Sequence, residues 1–236
     1  MPGFATTRWS LILNSEPGPA AVRDALEYIC RDYRAPVLAF IRRAGHSAAD
    51  ADDLTQEFFA RLLERRWYAM ADPSLGRFRT YMLAALRRFL MDSHETAVAL
   101  KRGGGQQKVD FELACESASL ASSPSPEQVF TQQWMQTVLE HAVTVLRAEA
   151  IEIGKLELFD HLAGFLAESP DPNVYTTLGT KLGIRANTIA VNVHRLRRRL
   201  YTLVQQELLQ TVADAGSLEQ ERREFRNALP TSVGPD

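Results

Sequence analysis

Asp50, Asp52, Asp53 and Glu57, with Gln56 among them, crowd the start of one stretch of helical spacing. Carboxylates grouped in this way can move protons or hold a divalent cation. A metal, however, wants ligands converging from several elements, and these share one end of a single helix. Two readings remain: acids favoured by the positive end of a helix, or a surface that docks a basic partner. Arg65, Arg66, Trp67 and Tyr68 follow, and a loop leads on to Arg77, Arg79, Tyr81, Arg87 and Arg88. Rings that stack on unpaired bases, beside arginines that track a backbone, suit single-stranded nucleic acid. Trp67 and Tyr68 on a loop also suit the cradling of an extruded base. Against this, Phe78 and Tyr81 fall on an apolar helical stripe, which makes them core candidates, and Trp67 can join them.

A third group lies in Tyr175–Leu200, YTTLGTKLGIRANTIAVNVHRLRRRL. A short helix, Thr177–Leu182, ends at Gly183, a residue that tolerates the left-handed backbone of a tight turn. The next helix, about 186–209, buries Ile189, Val193, Leu196 and Leu200 on a stripe about 60° wide at 3.6 residues per turn. Asn187, Val191, His194 and Arg198 then face the other way. That is the layout of a helix-turn-helix, whose second helix enters the major groove. Arginine forks suit phosphate or guanine, and an asparagine amide suits adenine. Two antiparallel core helices with a solvated basic face would show the same spacing.

Charge sharpens these readings. The chain of 236 residues has a net charge of −2, yet residues 77–108 carry +5 and residues 181–199 carry +6 without one acid, leaving −13 elsewhere. Basic blocks segregated in this way point to a polyanion, because phosphate contact dominates nucleic-acid affinity. Enzyme chemistry finds no footing. The histidines, His46, His94, His141, His161 and His194, are scattered, and Gly103–Gly105 lacks the strand and helix of a phosphate loop. Two cysteines, Cys30 and Cys115, build neither a disulfide scaffold nor a four-cysteine metal site. No cofactor is expected. The start, MPGFATTRWSLIL, has no signal-peptide pattern, and no run reaches the roughly 20 apolar residues of a membrane span. A cytoplasmic protein with no membrane partner is the expectation.

The elements that must hold these residues are helices throughout. Val22, Leu26 and Ile29 recur at helical intervals, and Val37, Leu38 and Ile41 continue beyond Pro36, which either kinks the helix or begins a new turn. Gly45 closes that segment. Ser47 caps the next helix with Asp50 three residues on, and Leu54, Phe58 and Leu62 form its stripe to about Arg66. After the loop, Phe78, Tyr81, Met82, Ala85, Leu86, Phe89 and Leu90 give the cleanest helical pattern, fading near Leu100. Helical spacing returns at Phe130 and Trp134. The expected fold is all-α: a helical domain at 1–100, a flexible linker at 101–128 with a short ordered piece at Val109–Leu113, a second helical domain at 129–211, and a polar tail at 212–236.

In this order and separation, Asp50–Arg66 (DADDLTQEFFARLLERR), Gly76–Leu90 (GRFRTYMLAALRRFL) and Tyr175–Leu200 resemble an extracytoplasmic-function sigma factor of bacterial RNA polymerase, in the sigma-70 family. The resemblance covers about 9–102 and 130–209. It implies that the first domain is sigma region two and the second is region four. It implies bacterial core RNA polymerase as a partner, docked by Asp50, Asp52, Asp53, Gln56, Glu57 and Arg61. It implies promoter DNA as the ligand, with Trp67, Tyr68, Arg77, Arg79, Tyr81, Arg87 and Arg88 melting and reading the minus-ten element. Arg185, Asn187, Ala190, Val191, Asn192, His194, Arg195 and Arg198 then read the minus-thirty-five element as duplex. Tyr81 stands where the family usually has Trp, and Ala190-Val191 where it has basic or small polar residues. The family's regulation implies an anti-sigma protein or a kinase as a further partner. Thr55, in the acidic motif, is the expected phosphate acceptor. Stretch 152–174 and the tail exceed the family's compact form and are candidate regulatory surfaces. A stand-alone helix-turn-helix regulator, binding a palindromic duplex as a dimer without polymerase, is the alternative; it leaves the acidic cluster without a role. A sigma-like interaction module that has lost promoter reading is the other.

Overall fold

The computed structural model describes residues 19–72, 76–102, 123–167, 170–212 and 214–228. They form eight helices: α1 (Pro19–Arg43), α2 (Ala48–Glu64), α3 (Phe78–Arg102), α4 (Pro126–Glu152), α5 (Leu156–Leu162), α6 (Pro172–Leu182), α7 (Ala186–Leu209) and α8 (Ala215–Ala228). Short 3-10 turns stand at Trp67–Met70 and Ala163–Phe165, and there is no strand among the described residues. The protein is all-α. Its chain divides into two compact units, Met1–Thr137 with Thr211–Asp214, and Val138–Gln210 with Ala215–Asp236.

In the first unit α1 runs unbroken through Pro36, whose ring is buried. Ser47 caps α2, its Oγ accepting from the Asp50 backbone N–H at 3.2 Å, as the spacing predicts. The core is aromatic. Phe58 packs edge-on against Phe89 at 5.6 Å between ring centres, and Tyr33 edge-on against Phe78, also at 5.6 Å. Val37, Phe40, Leu62, Met82 and Leu86 have no exposed surface around them. The first three turns of α4 belong to this unit, with Phe130 6.3 Å from Tyr33 and Trp134 only 2% exposed. The unit boundary therefore falls inside α4, at Thr137 and Val138, rather than at its start. Phe130 and Trp134 are one turn apart and together offer too large an apolar face to leave in water. The expected linker lies mostly outside the described residues, as does Val109–Leu113; its last residues open α4.

In the second unit Leu162, Ile189 and Val193 make a core, with Leu158, Phe165, Tyr175, Leu178, Ile184 and Leu196 packed on it. Gly183 closes α6 with φ of 67°, and its N–H bonds the Gly179 carbonyl. A side chain at Gly179 would put Cβ 2.6 Å from the Ile184 carbonyl, so the turn closes over a residue that must have none. The tail departs from its reading as simply polar. Part of it folds as α8, which packs on α7 and buries Leu218, Glu221 and Phe225. Its apolar residues are too few, among eight charged or amide side chains, for periodicity to announce a helix.

Candidate nucleic-acid interface

The acidic cluster at the start of α2 is split by the helix that carries it. Asp50 takes part in the cap, accepting a hydrogen bond from Ser47 Oγ at 2.6 Å. Asp52 turns toward α1, 3.4 Å from Arg42 and 3.7 Å from Arg34. Asp53, Gln56 and Glu57 are exposed. Glu57 pairs with Arg61 one turn on, at 2.5 Å, and the Arg61 guanidinium lies 5.2 Å over the Phe89 ring. Asp53, Gln56 and Glu57 thus form the accessible part of the expected docking face. Asp52 joins two helices and Arg61 lies against the core. Thr55 is 1% exposed, its hydroxyl donating to the Ala51 carbonyl at 2.7 Å. That burial removes it as a phosphate acceptor, because a kinase would have to unfold α2 to reach it.

The loop after α2 is set by Arg66, whose φ of 52° is the one left-handed non-glycine backbone among the described residues. Arg66 starts the 3-10 turn Trp67–Met70, and the Tyr81 hydroxyl donates to the Trp67 carbonyl, tying that turn to α3. Burial raises the Tyr81 pKa, so the phenol keeps the proton it donates. Between turn and helix lies a groove of about 380 Å³, lined by Arg65, Trp67, Met70, Tyr81, Ala84, Ala85, Arg88 and Asp92. That volume lies in the lower range of small-ligand sites. Its walls are aromatic and methyl-bearing, with guanidinium groups at the edge, a combination that suits a nucleobase and its phosphate.

The structure brings Trp67, Tyr81 and Arg88 together and sends the other candidates elsewhere. Tyr68 is 7% exposed, so its ring offers no open stacking face. Arg77 is half-buried beside the start of α3. Arg79 is 5% exposed, its Nη1 donating to Thr131 Oγ1 at 3.1 Å and its guanidinium stacked 4.7 Å from the Trp134 ring centre. Arg87 is exposed but paired with Glu127 at 2.5 Å. Phe130 and Trp134 bring α4 across that flank of α3, which the periodicity of α3 alone does not reveal. Sequence reasoning also missed Met70, which is 72% exposed, and Asp92, both in the groove wall.

On α7, Arg185, Asn187, Val191, His194, Arg195 and Arg198 are exposed, and Ala190 is half-buried at the edge of the same face. Asn192 points away from it: half-buried, it donates from Nδ2 to the Thr188 carbonyl at 2.9 Å, which occupies the amide within its own helix. Two arginines of the basic block do structural work. Arg197 donates to the Phe165 carbonyl at 3.0 and 2.6 Å, and Arg199 grips Glu149 at 2.5 Å. The hydrogen bond and charge of Arg199 hold the Glu149 carboxyl below the ordinary glutamate range, against a smaller opposing effect of burial.

One family match falls on the grooved unit. Residues 29–97 match the family model of Sigma-70 region 2. That span takes in most of α1, all of α2, the 3-10 turn, the groove and most of α3. It supports a sigma-70 family sigma factor, and with it RNA polymerase and DNA as partners in general. No curated protein and no solved structure matches the chain. Among the described residues no cluster of His, Cys, Asp and Glu is placed to hold a metal, and no helix is long and apolar enough to cross a membrane. The sigma-70 region 2 match ends before α4, so α7 rests on its own geometry.

Proposed function

We propose that the chain is a sigma factor of the extracytoplasmic-function type, directing bacterial RNA polymerase to promoters. The observation that carries this is a coincidence in place. The region 2 match contains the Trp67–Tyr81 groove with Arg65 and Arg88 at its edge. Asp53, Gln56 and Glu57 on α2 dock on a basic surface of the core enzyme. The groove holds a base extruded from the minus-ten element. Opening duplex costs a few kcal/mol per unstacked step, and capture of the extruded base offsets that cost. No acid, nucleophile or metal is needed, since the polymerase supplies the chemistry.

The second unit reads the minus-thirty-five element as duplex through Asn187, Val191, His194, Arg195 and Arg198. Arg185, at the helix-turn-helix corner, reaches backbone phosphate. Support comes from the exposure of these side chains on one face and from the closed turn at Gly179 and Gly183. Two weak readers gain affinity through effective concentration once one machine holds both.

The test is reconstitution of the full chain with bacterial core polymerase and a library of promoter fragments. Stable association and promoter-dependent transcripts are expected. A chain that binds duplex alone as a dimer on palindromic sites, and never joins polymerase, overturns the proposal in favour of a free regulator. A chain that joins polymerase but directs no transcript overturns it in favour of an interaction module.

A further inference from the structure

The candidate minus-ten residues of α3 fall on two flanks. Tyr81, Ala84, Ala85 and Arg88 line the open groove. Arg79 and Arg87 lie on the other flank, where α4 covers Arg79 and pairs with the exposed Arg87. Arg87 Nε and Nη2 both reach Glu127 Oε1, at 3.1 and 2.5 Å. Glu127 is held in turn by Ser125 Oγ, which donates to its second oxygen at 2.8 Å. Arg43 Nε adds a hydrogen bond to the Pro124 carbonyl at 2.6 Å, fixing the segment that enters α4. One turn on, Thr131 and Trp134 close over Arg79. An oriented carboxylate thus sits on a guanidinium where a nucleic-acid phosphate would bind, since arginine takes both anions by the same fork.

We propose that the first turn of α4 is an autoinhibitory strap, with Glu127 standing in for a DNA phosphate on Arg87. The inference rests on the assignment of α3 to promoter reading. The strap is built to be displaced. The Arg87–Glu127 pair is half exposed on the arginine side, and exposed pairs are weak enough for a polyanion to compete with them. In the closed form the free factor offers single-stranded nucleic acid only the groove; release of Glu127 lengthens the basic track from Arg88 to Arg87.

The test uses the full chain without polymerase and a fluorescent single-stranded oligonucleotide of minus-ten length at low salt. Glu127→Gln removes the stand-in anion without altering shape. It is expected to tighten binding about three-fold over wild type, the scale of one exposed ion pair. Glu157→Gln, an exposed acid of the second unit, controls for the change in net charge and should leave binding unchanged. Adding Arg87→Ala to Glu127→Gln should abolish the gain. Arg88→Ala in the wild-type background tests the underlying assignment separately. If Arg88→Ala weakens binding but Glu127→Gln brings no gain, the strap is refuted and the α3 assignment stands. A gain that survives Arg87→Ala, or that Glu157→Gln equals, also refutes it. If Arg88→Ala has no effect and no variant gains, both fall. A structural role for Glu127 would lower thermal stability without tightening binding.

Discussion

α3 and α7 both carry arginines around an apolar stripe, and the two helices use them in opposite ways. On α3 the flank with Arg79 and Arg87 is engaged, one guanidinium stacked on Trp134 and the other paired with Glu127. On α7 the engaged arginines are Arg197 and Arg199, which fasten the helix to the Phe165 carbonyl and to Glu149. The opposite face of α7 stays open, with Arg195 and Arg198 exposed. Positive charge per helix is therefore a poor guide to a binding surface. What matters is which guanidinium groups the rest of the fold has already engaged.

The sharpest way to break this contrast is to remove the ring that covers α3. Trp134→Ala should cost about 3–5 kcal/mol, as for other buried large-to-small changes. The first unit should show it as a large drop in thermal midpoint. A loss below 1 kcal/mol would mean that α4 lies loosely on α3. Next in size is Gly179→Ala, which forces a methyl against the Ile184 carbonyl. Overpacking of that kind costs about 1–3 kcal/mol, and the second unit alone should lose stability. An unchanged melting curve would remove the close approach at this turn.

A paired substitution on α7 separates fastening from reading. Arg197→Ala should destabilise the second unit by about 1.5–3 kcal/mol, the scale of a charged hydrogen bond. Arg198→Ala should leave stability within about 0.5 kcal/mol and weaken duplex binding at fixed salt. Equal effects of the two on stability would erase the division between engaged and open arginines. The smallest effect concerns Glu149, whose carboxyl is held below its ordinary range by Arg199. Its folded pKa is depressed, so its contribution is complete above the unfolded pKa and is lost as pH falls through the folded one. The stability difference between wild type and Glu149→Gln should shrink toward zero on acidification and be flat at neutral pH. A difference that grows in acid would reverse the assignment.

Much of this was legible in the residues. The Ser47 cap, the stripes of α2 and α3 and the turn at Gly183 follow from local chemistry, because a helix reports its own period and its own ends. What periodicity cannot report is the partner that covers a face. Arg79 lies on the polar side of the α3 pattern and is nonetheless buried, because Phe130 and Trp134, more than 50 positions on, need somewhere to pack. Thr55 looks exposed in an acidic motif, yet its spacing to Ala51 and Phe58 places it inward. Asn192 has the right chemistry for adenine and spends its amide on its own helix. α8 was illegible for a different reason: Leu218 and Phe225 are a sparse signal, and only the apolar stretch of α7 beneath them gives it meaning.

The core of the second unit, Leu162, Ile189 and Val193, shares no side chain with Asn187, Val191, His194 or Arg198. Substitutions on the open side of α7 are therefore nearly free of thermodynamic penalty to the scaffold. If this face reads duplex DNA as proposed, its target preference can be changed one side chain at a time, while the glycine-closed corner keeps the angle of presentation constant.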